Sequence, residues 1–137
     1  MNTKLVKTQI AVLLVAGALL ILVGGFILAA PIDFYASNDI ALGANVNLLN
    51  ELKAPAGLLL AAGLLMIGAI FIRRMADSAT SLAALIYLSY AVSRFFSMAF
   101  DGVPASGLVQ AAAIEGIVGL ACLAVLTIRR MPAWRAA

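Results

Sequence analysis

Four long apolar stretches decide what this chain can fold into. They run from Ile10 to Ala30, from about Pro55 to Ile72, from about Leu82 to Phe100 and from Gly107 to Ile128. A helix needs roughly 20 apolar residues, within about 17–25, to cross a hydrocarbon core of about 30 Å. Each stretch is of that length. In lipid a single segment satisfies its own backbone only as a helix. The strands of a barrel alternate apolar and polar residues in short runs, and no stretch here does so. Composition agrees, since 11% of the residues are charged against about 25% in soluble domains. The expected architecture is an all-α membrane protein, an antiparallel four-transmembrane-helix bundle. It forms one domain over residues 1–137, with helices at about 8–30, 46–72, 78–100 and 106–129.

Lys4 and Lys7 before the first stretch give it the look of a signal peptide. Its apolar part is longer than the usual core of about 7–15 residues, and Ala29-Ala30-Pro31 makes a poor cleavage site. A helix that stays in place is expected. Basic residues then set orientation. Lys4, Lys7, Arg73, Arg74, Arg129, Arg130 and Arg135, seven of the nine Lys and Arg, fall on one side of an alternating bundle. Basic loops stay inside, so both termini are predicted to be cytoplasmic in the inner membrane of a bacterium. Asp33, Asp39 and Asp101 then lie outside. The net charge of +3 is explained by this orientation, not by nucleic acid.

The links are short, which forces neighbouring helices antiparallel. Between helices two and three lies Arg73-Arg74-Met75-Ala76-Asp77-Ser78, where Asp77 or Ser78 is expected to cap helix three. Between helices three and four lies Asp101-Gly102-Val103-Pro104, a turn by composition. The first outer loop, from Pro31 to about Asn50, is longer. Asn45 in that loop suits a helix cap, giving helix two an extension that Pro55 would kink. The alternative is a start at Pro55, a residue welcome in a first turn.

The chain has no His and one cysteine, Cys122. Without His it lacks the commonest metal ligand and the usual general base. One cysteine makes neither an internal disulfide nor a thiolate-rich metal site. Cys122 is read as a small packing residue, and no metal or cofactor is expected. Tyr35, Phe95, Phe96, Phe100 and Trp134 are read as interface anchors or lipid-facing bulk.

Two charges lie where charge is costly, Arg94 in helix three and Glu115 in helix four. On insertion scales each costs about 2.5–3.5 kcal/mol at mid-helix. Arg94 is about 10 Å inside the outer boundary and Glu115 about 12 Å, at about 1.5 Å per residue. Matched depth on antiparallel neighbours predicts that the two meet, and a guanidinium can fork onto a carboxylate. Tyr87, Tyr90, Arg94, Ser97 and Asp101 follow steps of three and four residues and share a face. With Lys53 and Glu51 at the outer end of helix two, they are expected to form one charged network. Gly57 and Ala61 on helix two, with Ala111, Ala112 and Gly119 on helix four, are expected to let helices approach.

Three stretches carry a resemblance. They are Asn50-Glu51-Leu52-Lys53 with Gly57, then Arg94-Phe95-Phe96-Ser97 followed by Asp101-Gly102-Val103-Pro104, then Glu115. In this order they resemble a family of small bacterial four-helix membrane proteins catalogued as domain of unknown function 4345. Lys53 stands where arginine is more usual, and Pro55 departs from a glycine-rich pattern. The resemblance implies the fold and the Arg-x-x-Ser-x-x-x-Asp-Gly-x-Pro motif. It implies no activity.

Two functions follow. The first is a non-enzymatic small subunit or scaffold, packed against a partner membrane protein or another copy, its Arg94–Glu115 pair fixing helix register. The second is a carrier or sensor for a small polar or amphiphilic ligand in an outward-facing pocket lined by Arg94, Glu115, Lys53 and Asp101. A proton-coupled carboxylate in a transporter comes third. An enzyme would need a nucleophile beside a base, for which Ser97 with Asp101 is a thin candidate. A ligand-sized cavity reaching Arg94 and Glu115 would favour binding. Direct contact without a cavity would favour the structural role.

Overall fold

The computed structural model describes residues 3–130 and, of these, the side chains of residues 6–129. Of the described residues 88% are helical and none lies in a strand. The order is α1 (Thr3–Ala29), α2 (Pro31–Ala36), α3 (Val46–Phe71), a 3₁₀ turn (Arg73–Met75), α4 (Ala76–Asp101) and α5 (Ser106–Arg130). Four helices, α1, α3, α4 and α5, are long and apolar enough to cross a membrane. Trp134 and Arg135 lie outside the described residues, as do the side chains of Lys4 and Arg130.

Alternation brings the start of α1, the α3–α4 link and the end of α5 to one end, here called the terminal end. The opposite end, with α2 and the α4–α5 turn, is the far end. α1 packs chiefly on α3 and α4 chiefly on α5, so the bundle is two hairpins joined by lesser contacts of α1 with α5 and α4 and of α3 with α4.

The α1–α3 hairpin is close because its seam is built from glycine. A Cβ on Gly63 would stand 2.7 Å from the Gly17 carbonyl oxygen, and one on Gly17 would stand 2.9 Å from that of Gly63. Small residues do let helices approach here, but not the pair expected on α3. Gly57 has open space around it and Ala61 is exposed. The buried face of α3 runs through Ala56, Leu59, Ala62, Gly63, Met66 and Ala69. Gly57 follows Ala56, and one residue rotates a side chain by about 100°, off that seam. On α5 the expectation holds better, with Ala112 fully buried and Gly119 against Leu88 of α4.

Three local features differ from, or refine, the sequence reading. Asn45 caps α3, its side chain accepting from the N–H groups of Asn47 and Leu48 at 3.0 and 3.2 Å. The helix continues through Pro55, where the missing N–H leaves the Glu51 carbonyl without its helical donor. The first loop begins with the unforeseen helix α2, which has Pro31 at its start and Asp33 in its first turn. A proline in the first turn and a carboxylate at a helix N-terminus both favour this. Neither Asp77 nor Ser78 caps α4, whose cap position is Met75 with no side-chain bond. The 3₁₀ turn feeds directly into α4, so Asp77 lies inside the first turn and reaches sideways instead.

The hydrophobic core fills the terminal half of the bundle. Leu13, Ala16, Met66, Ala79, Ala83, Cys122 and Leu126 belong to it, together with Tyr87. Cys122 is a buried packing residue and a free thiol. The Tyr87 hydroxyl donates to the Ala16 carbonyl at 2.7 Å, tying α4 to α1 where the tight core ends.

Candidate functional site

Beyond Tyr87 the two hairpins part around a cavity of about 460 Å³. Cavities of roughly 300–1,000 Å³ suit small ligands. Its walls are mainly apolar. Leu19, Val23 and Ile27 come from α1, Leu52, Pro55 and Leu59 from α3, and Leu108, Ala111 and Ile114 from α5. Tyr87, Tyr90 and Arg94 come from α4, and Glu115 from α5. At the far end Phe34, Tyr35, Asn38 and Ile40 lean in from α2 and the loop after it. That loop sits tightly on α5, since a Cβ on Gly107 would stand 2.6 Å from Asn38 Oδ1.

Arg94 and Glu115 meet as their depths predict. The guanidinium Nε donates to Glu115 Oε2 at 2.9 Å. The side chains remain 31% and 16% exposed, and both line the cavity. The pair is therefore not sealed in packed helix. Only one guanidinium nitrogen is used, and Glu115 Oε1 makes no further hydrogen bond among the described residues. One wall thus offers spare donors next to a spare acceptor.

The wider network does not form. Lys53 and Glu51 are exposed and make no ion pair among the described residues. Leu52, Pro55, Ala56 and Leu59 give the cavity face of α3, and Lys53, one residue past Leu52, is turned about 100° away. Asp101 shares Arg94's face but lies about 10 Å further along α4, at about 1.5 Å per residue. There it accepts from Ser97 Oγ at 2.9 Å, an exposed bond near the helix end. The cavity is lined by Arg94, Glu115 and Tyr90, not by Lys53 or Asp101. Tyr35, expected at an interface, is half-buried on its wall, while Phe95, Phe96 and Phe100 are exposed as expected.

A family model, described as a domain of unknown function (DUF4345), matches residues 8–126. The chain belongs to this family. The match takes in all four long helices of the DUF4345 bundle, α1 included, and both members of its ion pair. No curated protein and no solved structure matches the chain. With four helices able to cross a membrane, this DUF4345 member is an integral membrane protein of unknown activity.

A second polar cluster, at the terminal end, was not foreseen. The Gln9 amide donates to Asp77 Oδ1 at 2.9 Å and to Thr80 Oγ1 at 3.0 Å. Arg129 donates to Gln9 Oε1, and its Nε lies 3.3 Å from Asp77 Oδ1. Gln9 is 2% exposed and Thr80 fully buried. This knot joins α1, α4 and α5. The available signal was Gln9 itself, a polar residue just ahead of an apolar run, with Asp77 and Arg129 on the same side of the bundle.

Proposed function

We propose that this protein binds a small, net-neutral amphiphile in the far half of its bundle, as a carrier or sensor and not as an enzyme. The cavity beside the Arg94–Glu115 pair carries this reading. A pair that served only helix register would be enclosed by packing, whereas this one borders open volume on the cavity wall. The charge of the wall narrows the ligand class. Arg94 and Glu115 are the Arg and the carboxylate among its described lining residues, and their charges cancel. A net charge brought into such an apolar space would lose hydration without a counter-ion. A head group with both a donor and an acceptor, such as a hydroxyl, a carboxamide or a protonated carboxyl, matches the spare groups of the pair. An apolar body matches the leucine and isoleucine walls.

The basic residues at the terminal end support cytoplasmic termini, with the cavity in the outer half of the inner membrane of a bacterium. The small-subunit or scaffold reading, with a partner membrane protein or a second copy, stands as the rival. Native mass spectrometry of the full chain purified in mild detergent tests between them. A co-purifying neutral amphiphile is expected on the wild type. It should be lost from Leu19→Trp, which narrows the cavity from α1, a helix that carries neither member of the pair. Equal retention by that variant, or a wild type free of any bound molecule, would sink the ligand reading.

A further inference from the structure

We propose a second binding site, for the phosphodiester head of an anionic phospholipid, in the notch between α1, the α3–α4 turn and α5 at the terminal end. The notch has a volume of about 110 Å³ and is lined by Arg73 and Arg129 together with Gln9. It is far smaller than the central cavity and does not overlap it, since the two share no lining residue.

Charge selects an anion here as neutrality excludes one there. Among the described residues two arginines face the notch and no carboxylate lines it. Asp77 lies 3.3 Å from the Arg129 Nε, so among the described residues about one positive charge is left over. That matches a singly charged phosphodiester. Arg129 is also held in place, by Gln9 and Asp77 together, which lowers the entropy lost when it binds an anion. Arg73 is exposed and makes no ion pair among the described residues. Guanidinium groups fork onto phosphate oxygens.

The apolar side of the notch decides between a lipid and a free anion. Val6, Ile10 and Leu13 of α1, Ala69 and Ile70 of α3 and Ala76 of α4 complete its lining among the described residues. Ile10 is 38% exposed. From the arginines this strip runs along α1 into the membrane-crossing part of the helix, the direction an acyl chain takes from its head group. Free phosphate has no use for such a wall. Basic pockets between transmembrane helices are a known physical solution for anionic head groups.

The test uses the full-length chain in nanodiscs of phosphatidylcholine with increasing phosphatidylglycerol. Thermal unfolding is read by reaction of a thiol dye with Cys122, the single, buried cysteine. Phosphatidylglycerol should raise the melting temperature of the wild type in a saturable way, as binding to the folded state requires. Arg73→Gln should shift the half-saturating fraction about tenfold upward, the weight of one charged hydrogen-bonded contact. Arg74→Gln, a neighbouring arginine outside the notch, should shift it less than about fivefold, the weight of a basic residue near an anionic surface. Comparing the two lipids within each variant removes any change in basal stability. Equal shifts for the two variants would mean diffuse surface attraction and would overturn the proposal. So would full stabilisation by inorganic phosphate in phosphatidylcholine alone, which would mark a free-anion site.

Discussion

Arg94 and Glu115 each stand in a helix where an isolated charge is costly, and each removes that cost for the other at 2.9 Å. Replacing one leaves the second without its partner. Because both side chains border the cavity and are partly exposed, the loss should fall at about 1–3 kcal/mol, below the roughly 3–5 kcal/mol of fully buried pairs. Arg94→Leu and Glu115→Leu should each lower the melting temperature in detergent, and the double variant should recover much of the loss. A double variant no more stable than the worse single one would count against the pair as a stabilising unit. Recovered stability with loss of the co-purifying amphiphile would assign the pair to head-group recognition. Tyr87→Phe offers a milder contrast. It deletes the hydroxyl bond to the Ala16 carbonyl and should cost about 1 kcal/mol, seen as earlier exposure of the Cys122 thiol on heating.

The helices owe their limits to a few identifiable groups. Asn45 supplies the acceptor for two N–H groups at the start of α3. Asn45→Ala should destabilise the extension before Pro55 by about 1 kcal/mol, and Asn45→Asp should preserve it. Amide exchange at Asn47 and Leu48 reports this directly, with faster exchange expected in the alanine variant alone. The α1–α3 seam is less forgiving. Gly63→Val puts carbon within 2.7 Å of a backbone oxygen, which no side-chain rotation relieves. Overpacking of this kind costs about 1–3 kcal/mol. Gly57→Val, in open space on the same helix, should leave the melting temperature unchanged. If both variants melt alike, the seam does not run through Gly63.

The molecule as a whole divides into a packed terminal half and an opened far half. Gln9, Asp77, Thr80 and Arg129 knot three helices at the packed end, the end at which Lys7, Arg73 and Arg74 also stand. At the other end both hairpins line the cavity, and Phe34, Tyr35, Asn38 and Ile40 of α2 and its loop lean in. Orientation across the membrane should follow the basic residues. Reporter fusions at Ala137 should signal from the cytoplasm and fusions near Asp39 from outside. A cytoplasmic signal near Asp39 would reverse the proposed topology, and with it the side from which the cavity fills.

What the chain determined locally was legible without a structure. The number of membrane-length helices, the Asn45 cap, the Gly102 turn and the meeting of Arg94 with Glu115 follow from apolar length, cap chemistry and depth along antiparallel neighbours. Each depends on a few adjacent residues or on one axial coordinate. Rotation about each helix axis was not legible, because one residue changes facing by about 100° and nearly every position in these stretches is apolar. That is why Gly63 and not Gly57 forms the seam, and why Lys53 turns away from the site. Nor was the cavity legible, since it exists only where two hairpins fail to close. The Gln9–Arg129 contact joins residues 120 positions apart. Such pairings are decided by which faces the four helices turn inward, a choice made jointly by packing and never by one segment alone.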